Sequence, residues 1–143
     1  MSKTRLKAFA TIIAGQSPES SDVRELDTGR PFVQGNAEFG TRYPHPVWEC
    51  DTAPKVARPD DILISVRAPV GAINVARSEL GIGRGLAAVR ANNNHVQAWL
   101  YWALQSEVSE LEAQATGSTF SAVSASDIGN LRFALPEPVK ISV

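Results

Sequence analysis

One cysteine, one methionine and two histidines in 143 residues leave little material for several kinds of chemistry. The lone Cys50 cannot form an internal disulfide, which fits a reducing compartment and an expected cytoplasmic location. His45, Cys50 and His95 are the only His and Cys residues. None pairs with another at a structural-zinc spacing, so no metal is expected. Long apolar runs are missing too: none approaches the roughly 20 residues needed to cross a bilayer, and no membrane partner is expected. The start, MSKTRLKAFATIIAGQSP, places Lys3, Arg5 and Lys7 before a short apolar patch. Thr11 interrupts that patch and no small-x-small cleavage site follows, so it reads as a short helix leading into a strand. Internal repeats and low-complexity tracts are absent.

Catalytic signatures are absent as well. There is no G-x-S-x-G elbow, no S-x-x-K and no Cys in a His-paired setting, so no catalytic residue is assigned and no enzyme is expected. Asp60–Asp61 sits at a turn, where the start of a strand accounts for the pair. Gly81-Ile-Gly83-Arg-Gly85 lacks the G-x-x-x-x-G-K-S/T spacing and is not G-x-G-x-x-G between strand and helix. It reads as kinked strand, and neither a cofactor nor a small-molecule substrate is expected. The missing Cβ atoms on both sides of Arg84 would let another molecule, such as a DNA backbone, come close to it.

What is present is a core. Hydrophobic residues make up 43% of the chain, with nine prolines and ten glycines, a balance that points to a loop-rich α/β (α+β) fold. The expected architecture is a single domain over 1–143, with a twisted, mostly antiparallel or mixed sheet, one long amphipathic helix and long loops. Ile62–Val66 is continuously apolar, as a strand buried on both faces should be. Ala72–Ala76 alternates and reads as its antiparallel return, while Ile82–Val89 extends further, broken by Gly83 and Gly85. Pro31–Gln34 gives a short strand before an irregular block. From Asn94 to Thr116, Val96, Trp99, Leu100, Ala103, Leu104, Val108, Leu111 and Ala115 form one helical stripe. Asn94 with Gln97 is the expected cap, and Gly117 the stop. A second short helix follows near Ser124–Asn130, then a strand within Leu131–Leu135.

Net charge is −1, but its distribution is uneven. Residues 1–54 hold six basic and seven acidic side chains, 55–90 six against three, and 91–143 two against five. A basic middle with acidic flanks can give one positive face on a near-neutral protein, or ordinary solvated surface. Arg67, leaving a buried strand, either pairs with a carboxylate to fix the turn or offers its planar fork to a phosphate or a guanine edge. Gln34, Asn36, Arg42 and Tyr43 lie in the irregular block, where such residues read bases or simply pack the loop. Gly117-Ser-Thr-Phe-Ser121 offers hydroxyls and backbone N–H groups to phosphate, or caps the next helix while Phe120 anchors it. Trp48, Trp99 and Trp102 are expected in the core or at a partner contact.

The ordered blocks Gly15-Gln-Ser-Pro18, Arg30-Pro-Phe-Val-Gln-Gly35 with Phe39, Asp61–Gly71, Ile82–Arg90, the helix with Tyr101, Gly117-Ser-Thr-Phe120, Ser124–Leu131 and Leu135-Pro136 cover most of the chain. Together they resemble the target-recognition domain in DNA-specificity subunits of type I restriction–modification systems. That resemblance implies a non-catalytic, sequence-specific reader of double-stranded DNA, each domain reading half of a split target. It implies modification (methyltransferase) and restriction subunits, or a second specificity half, as partners. The modification subunits supply S-adenosylmethionine and adenine methylation. This chain carries no D/N-P-P-Y/F block of its own. Family subunits usually hold two recognition domains separated by long helices; here one domain is expected, with the spacer helices absent. The expected DNA contacts are Lys55, Arg67 and Arg84, then Gln34, Arg42, Tyr43, Ser118 and Thr119. The alternative is a truncated specificity-like module that docks on restriction–modification subunits without useful DNA binding.

Overall fold

The computed structural model describes residues 2–116 and 122–136. The strands are β1 (Thr4–Arg5), β2 (Ala10–Ala14), β3 (Arg24–Glu25), β4 (Pro31–Val33), β5 (Trp48–Glu49), β6 (Val56–Ala57), β7 (Ile62–Ser65), β8 (Ile73–Val75), β9 (Leu80–Ile82) and β10 (Leu86–Ala91). Helices α1 (Asn94–Thr116) and α2 (Ala125–Gly129) follow, then β11 (Arg132–Phe133). The fold is mixed α/β. Its strands are divided among an antiparallel four-stranded sheet β2-β10-β7-β8, a mixed five-stranded sheet β3-β5-β4-β9-β6 and a ladder β1-β11.

The apolar run of β7 is explained by what covers it. Ile62 and Ile64 join a cluster with Leu100 and Leu104 of α1, whereas Leu63 points the other way, to Val33, Leu80 and Ile82 of the five-stranded sheet. β10 does the same: Ala87, Val89 and Ala91 face the helix side, Leu86 and Ala88 the second sheet. The four-stranded sheet is therefore the middle layer, and a period-two pattern vanishes where both faces are dry. Deleting the fully buried Leu63 side chain should cost about 2–5 kcal/mol.

α1 runs over the residues its stripe predicts. Val96, Leu100, Leu104 and Leu111 are buried, and Trp99 packs against Phe9 and Phe133 with ring centroids 6.4 and 6.1 Å apart. Trp102 is on the outer face and 63% exposed, so it is not a core residue. The cap also differs from expectation. Asn93 accepts the His95 N–H on Oδ1 at 2.8 Å, and Gln97 reaches back past the cap to the Ala91 N–H at 2.7 Å. The α2 start is a full capping box between Ser124 and Asp127.

The glycine run is corrected too. β9 pairs parallel with β4 and antiparallel with β6, while β10 pairs with β2 and β7. Gly83-Arg84-Gly85 is thus not a kink within one strand but the crossing between two sheets. Its glycines admit the chain's own loop: a Cβ on Gly83 would meet the Gln34 side chain, and one on Gly85 would lie 2.8 Å from the Gln34 carbonyl oxygen.

Candidate nucleic-acid interface

β7 carries a cluster of polar groups at each end. At its C-terminal end four segments are pinned together by backbone hydrogen bonds. Gly15 and Gln16 donate to Leu86 and Ile82, Gly83 to Val33, Gly85 to Gln34, and Val66 to Gly85, all at 2.8–3.1 Å. Their convergence leaves a cleft of about 340 Å³ lined by Ser17, Gln34, Asn36, Ser65, Arg67 and Arg84. Arg67 is held by its backbone: it bridges Ala122 of the chain's later segment, and its carbonyl accepts the buried Ser65 hydroxyl at 2.8 Å. The Arg67 turn also contains a cis Ala68–Pro69 peptide.

The side chains here keep unused hydrogen-bonding capacity. Gln34 donates one N–H to Ser17 Oγ at 3.2 Å, and Asn36 donates to Ser65 Oγ and the Pro69 carbonyl, both at 3.3 Å. Among the described residues Gln34 keeps one N–H and its carbonyl oxygen without a partner, the pair a bidentate adenine contact uses, and Asn36 keeps an acceptor. Arg67 and Arg84 are exposed. Among the described residues the ion pairs are Arg24–Glu49, Arg30–Glu79 and Arg90–Asp61. The carboxylate-paired reading of Arg67 therefore has no partner there.

At the N-terminal end of β7 lies a wider cleft, about 640 Å³, lined by Arg42, Arg58, Asp60, Arg90, Gln97 and Tyr101 among others. Asp61 and Arg90 face each other across β7 and β10. Arg90 Nε and Nη2 donate to the buried Asp61 carboxylate at 2.8 and 2.6 Å, and the Arg58 N–H donates to it at 2.8 Å. That side-chain hydrogen bond raises the Arg90 pKa further. Asp60 adopts a positive φ of 74°, which Asp tolerates better than most residues. Its carbonyl accepts Gln97 Nε2 at 2.9 Å.

Arg42 and Tyr43 sit beside this second cleft, not the first. The Val75 N–H donates to the Arg42 carbonyl at 2.7 Å, so the loop lies along edge strand β8. Buried Asn74 clamps it, with Oδ1 accepting the Gly40 N–H and Nδ2 donating to the Gly40 carbonyl, both at 2.9 Å. Nearby, burial pushes the Glu38 carboxyl above the usual range, outweighing a backbone hydrogen bond that lowers it.

The structure thus brings together Gln34, Arg67 and Arg84, with Ser17 and Asn36, and places Arg42 and Tyr43 at the other end of β7. Lys55 is exposed and lines neither cleft; its carbonyl accepts the Ile82 N–H. Ser118 and Thr119 lie outside the described residues, as does the Gly117 stop. Arg58, Arg77 and Ser17 were missed by sequence reading, although Ser17 belongs to the Gly15–Pro18 block. Trp48 is 40% exposed, beside Val47 at 53%. Among the described residues no group of three or more His, Cys, Asp or Glu could hold a metal ion. No helix there is long and apolar enough to cross a membrane.

No family model matches the chain. In sequence and in fold, however, it is related to the specificity subunits of type I restriction–modification systems, as its ordered blocks imply. It is 42% identical over 129 residues to the putative type I restriction enzyme MjaX specificity subunit of Methanocaldococcus jannaschii, covering 90% of this chain and 30% of that protein. A solved structure on complex assembly and conformational transition of the type I R-M system contains a chain 43% identical, with TM-score 0.80, covering 94% of this chain and 34% of that one. The crystal structure of the HsdS subunit from Thermoanaerobacter tengcongensis matches with TM-score 0.79 at 42% identity, over 92% of this chain and 32% of that one. This chain spans about a third of the length of the relatives it matches.

Proposed function

We propose that this chain, as one recognition domain over 1–143, binds double-stranded DNA sequence-specifically and has no catalytic activity of its own. It would serve as the target-reading part of a type I specificity subunit in the cytoplasm. Its partners would be modification and restriction subunits or a second specificity half. The observation that carries this reading is the cleft at the C-terminal end of β7. Two exposed guanidinium groups, without carboxylate partners among the described residues, flank amides that retain donors and acceptors of the kind base edges require. Arg reads guanine O6/N7 and Gln reads adenine N6/N7, each good bidentate pair being worth about 1–3 kcal/mol of discrimination. Selection of bound duplexes from a random pool at low salt tests it. The expected result is enrichment of one short motif; an unenriched pool after several rounds overturns sequence-specific reading.

The docking alternative has one specific observation in its favour, the 63% exposed Trp102 on the outer face of α1. Pulldown with modification subunits, compared between wild type and Trp102→Ala, separates it from DNA binding.

A further inference from the structure

At the N-terminal end of β7 the arginines are held in an unusual way. The Arg42 guanidinium lies 4.6 Å from the centroid of the Tyr101 ring and 5.8 Å from that of Tyr43. Arg77 lies 4.4 Å from the Tyr43 centroid. Tyr101 is buried on α1, Arg42 and Tyr43 belong to the loop that Asn74 clamps, and Arg77 follows β8. Three separate elements therefore build one stack, Tyr101–Arg42–Tyr43–Arg77. Such cation–π contacts neutralise none of the guanidinium charge, and among the described residues neither the Arg42 nor the Arg77 side chain spends an N–H on a hydrogen bond. Among the described residues neither arginine is in an ion pair. Arg58, also free of one, lines the adjoining cleft, where Arg90 already neutralises Asp61.

We infer that this stack is a grip for DNA phosphates, separate from the cleft that holds Arg67 and Arg84. Arg42 and Arg77 donate to phosphate oxygens, and Tyr43 is the positioning residue that holds both. A guanidinium held against aromatic rings loses less freedom on meeting two phosphate oxygens than a mobile lysine does. The two stations stand apart by the length of β7 and its flanks, roughly 15–20 Å at about 3.3 Å per residue. That is on the order of five base pairs of duplex. The inference deepens the DNA-binding reading and rests on it. It assigns affinity to one end of β7 and base discrimination to the other.

The test is binding of the full chain to a selected duplex and to a random-sequence duplex, by fluorescence anisotropy across a salt series. For Arg42→Ala with Arg77→Ala we expect weakening by the same factor on both duplexes, about tenfold or more for each arginine lost. The slope of log K against log salt should fall by about 0.9 for each phosphate contact removed. Tyr43→Leu keeps both charges yet should weaken both duplexes severalfold, and Tyr43→Phe, which keeps the ring, should restore affinity. Far-ultraviolet circular dichroism and Tm exclude misfolding as the cause. If wild type binds neither duplex, the DNA reading fails and the inference with it. If wild type binds but the double variant keeps its affinity and slope, the grip is wrong while the DNA reading stands. Loss confined to the selected duplex with an unchanged slope makes these residues base readers and overturns the assignment. So does poly-glutamate competing as well as duplex for wild type but not for the double variant.

Discussion

The two ends of β7 are both rich in arginine and use it differently. At the N-terminal end Arg90 is spent on Asp61, and Arg42 and Arg77 are fixed by aromatic rings. At the C-terminal end Arg67 and Arg84 stand exposed with no carboxylate partner among the described residues, and backbone hydrogen bonds fix their segments. The difference teaches that counting positive charge along the middle third says little about availability. An arginine inside a carboxylate pair holds the fold together, one on a ring is oriented but still able to donate, and an unpaired one is free for a ligand. A chain of net charge −1 can therefore present two cationic stations.

Substitutions that exchange the roles of the two ends would break this comparison. The largest effect is expected at Asp61→Ala, which leaves Arg90 without its partner and removes the acceptor of the Arg58 N–H. Breaking one side of a buried pair costs about 3–5 kcal/mol. Arg90 keeps 26% of its side-chain exposure, so the lower end, about 3 kcal/mol, is expected in urea unfolding. Asn74→Ala should cost about 1–3 kcal/mol by orphaning the Gly40 carbonyl and leaving the Gly40 N–H only its longer bond to the Tyr43 carbonyl at 3.1 Å. Unlike Asp61→Ala, it should also weaken DNA binding under conditions where the protein remains folded, because the loop carrying Arg42 and Tyr43 comes loose. Gln34→Ala at the opposite end should change stability by less than about 0.5 kcal/mol. It should relax preference at one base position, seen by comparing single-substituted duplexes.

The smallest effect concerns Glu38, whose folded pKa is raised by burial. For such a group, stability is fully present below the unfolded pKa and is lost as pH rises through the folded one. Glu38→Gln should therefore raise Tm slightly at pH 7, and that gain should vanish once the pH is below the ordinary Glu range.

Much of the scaffold is legible in sequence because its signals are local. The α1 stripe, the doubly buried β7, its antiparallel return in β8 and the Ser124–Asp127 box all follow from residues a few positions apart. The pairing of β9 with β4 is not legible, since it joins Phe32 to Gly81 and Val33 to Ile82 across nearly fifty residues of intervening chain. The same distance hid why Gly83 and Gly85 are glycines: their crowding neighbour, Gln34, lies far away in sequence. Of the site, Arg67 and Arg84 can be read as candidates, but not that Gln34 would join them while Arg42 and Tyr43 would not. Tyr101 and Arg77 meet Arg42 and Tyr43 only through tertiary packing, and no local pattern announces a stack built from three elements.

The central claim is that Arg67 and Arg84 are free for DNA because, among the described residues, the fold gives them no carboxylate. Titrating a selected duplex with wild type and with Arg67→Ala/Arg84→Ala, at matched salt and with unfolding curves alongside, tests it most directly. The unfolding midpoint should be unchanged and affinity should fall by at least about tenfold. Unchanged affinity, or a fall in stability that accounts for the whole loss, would contradict it.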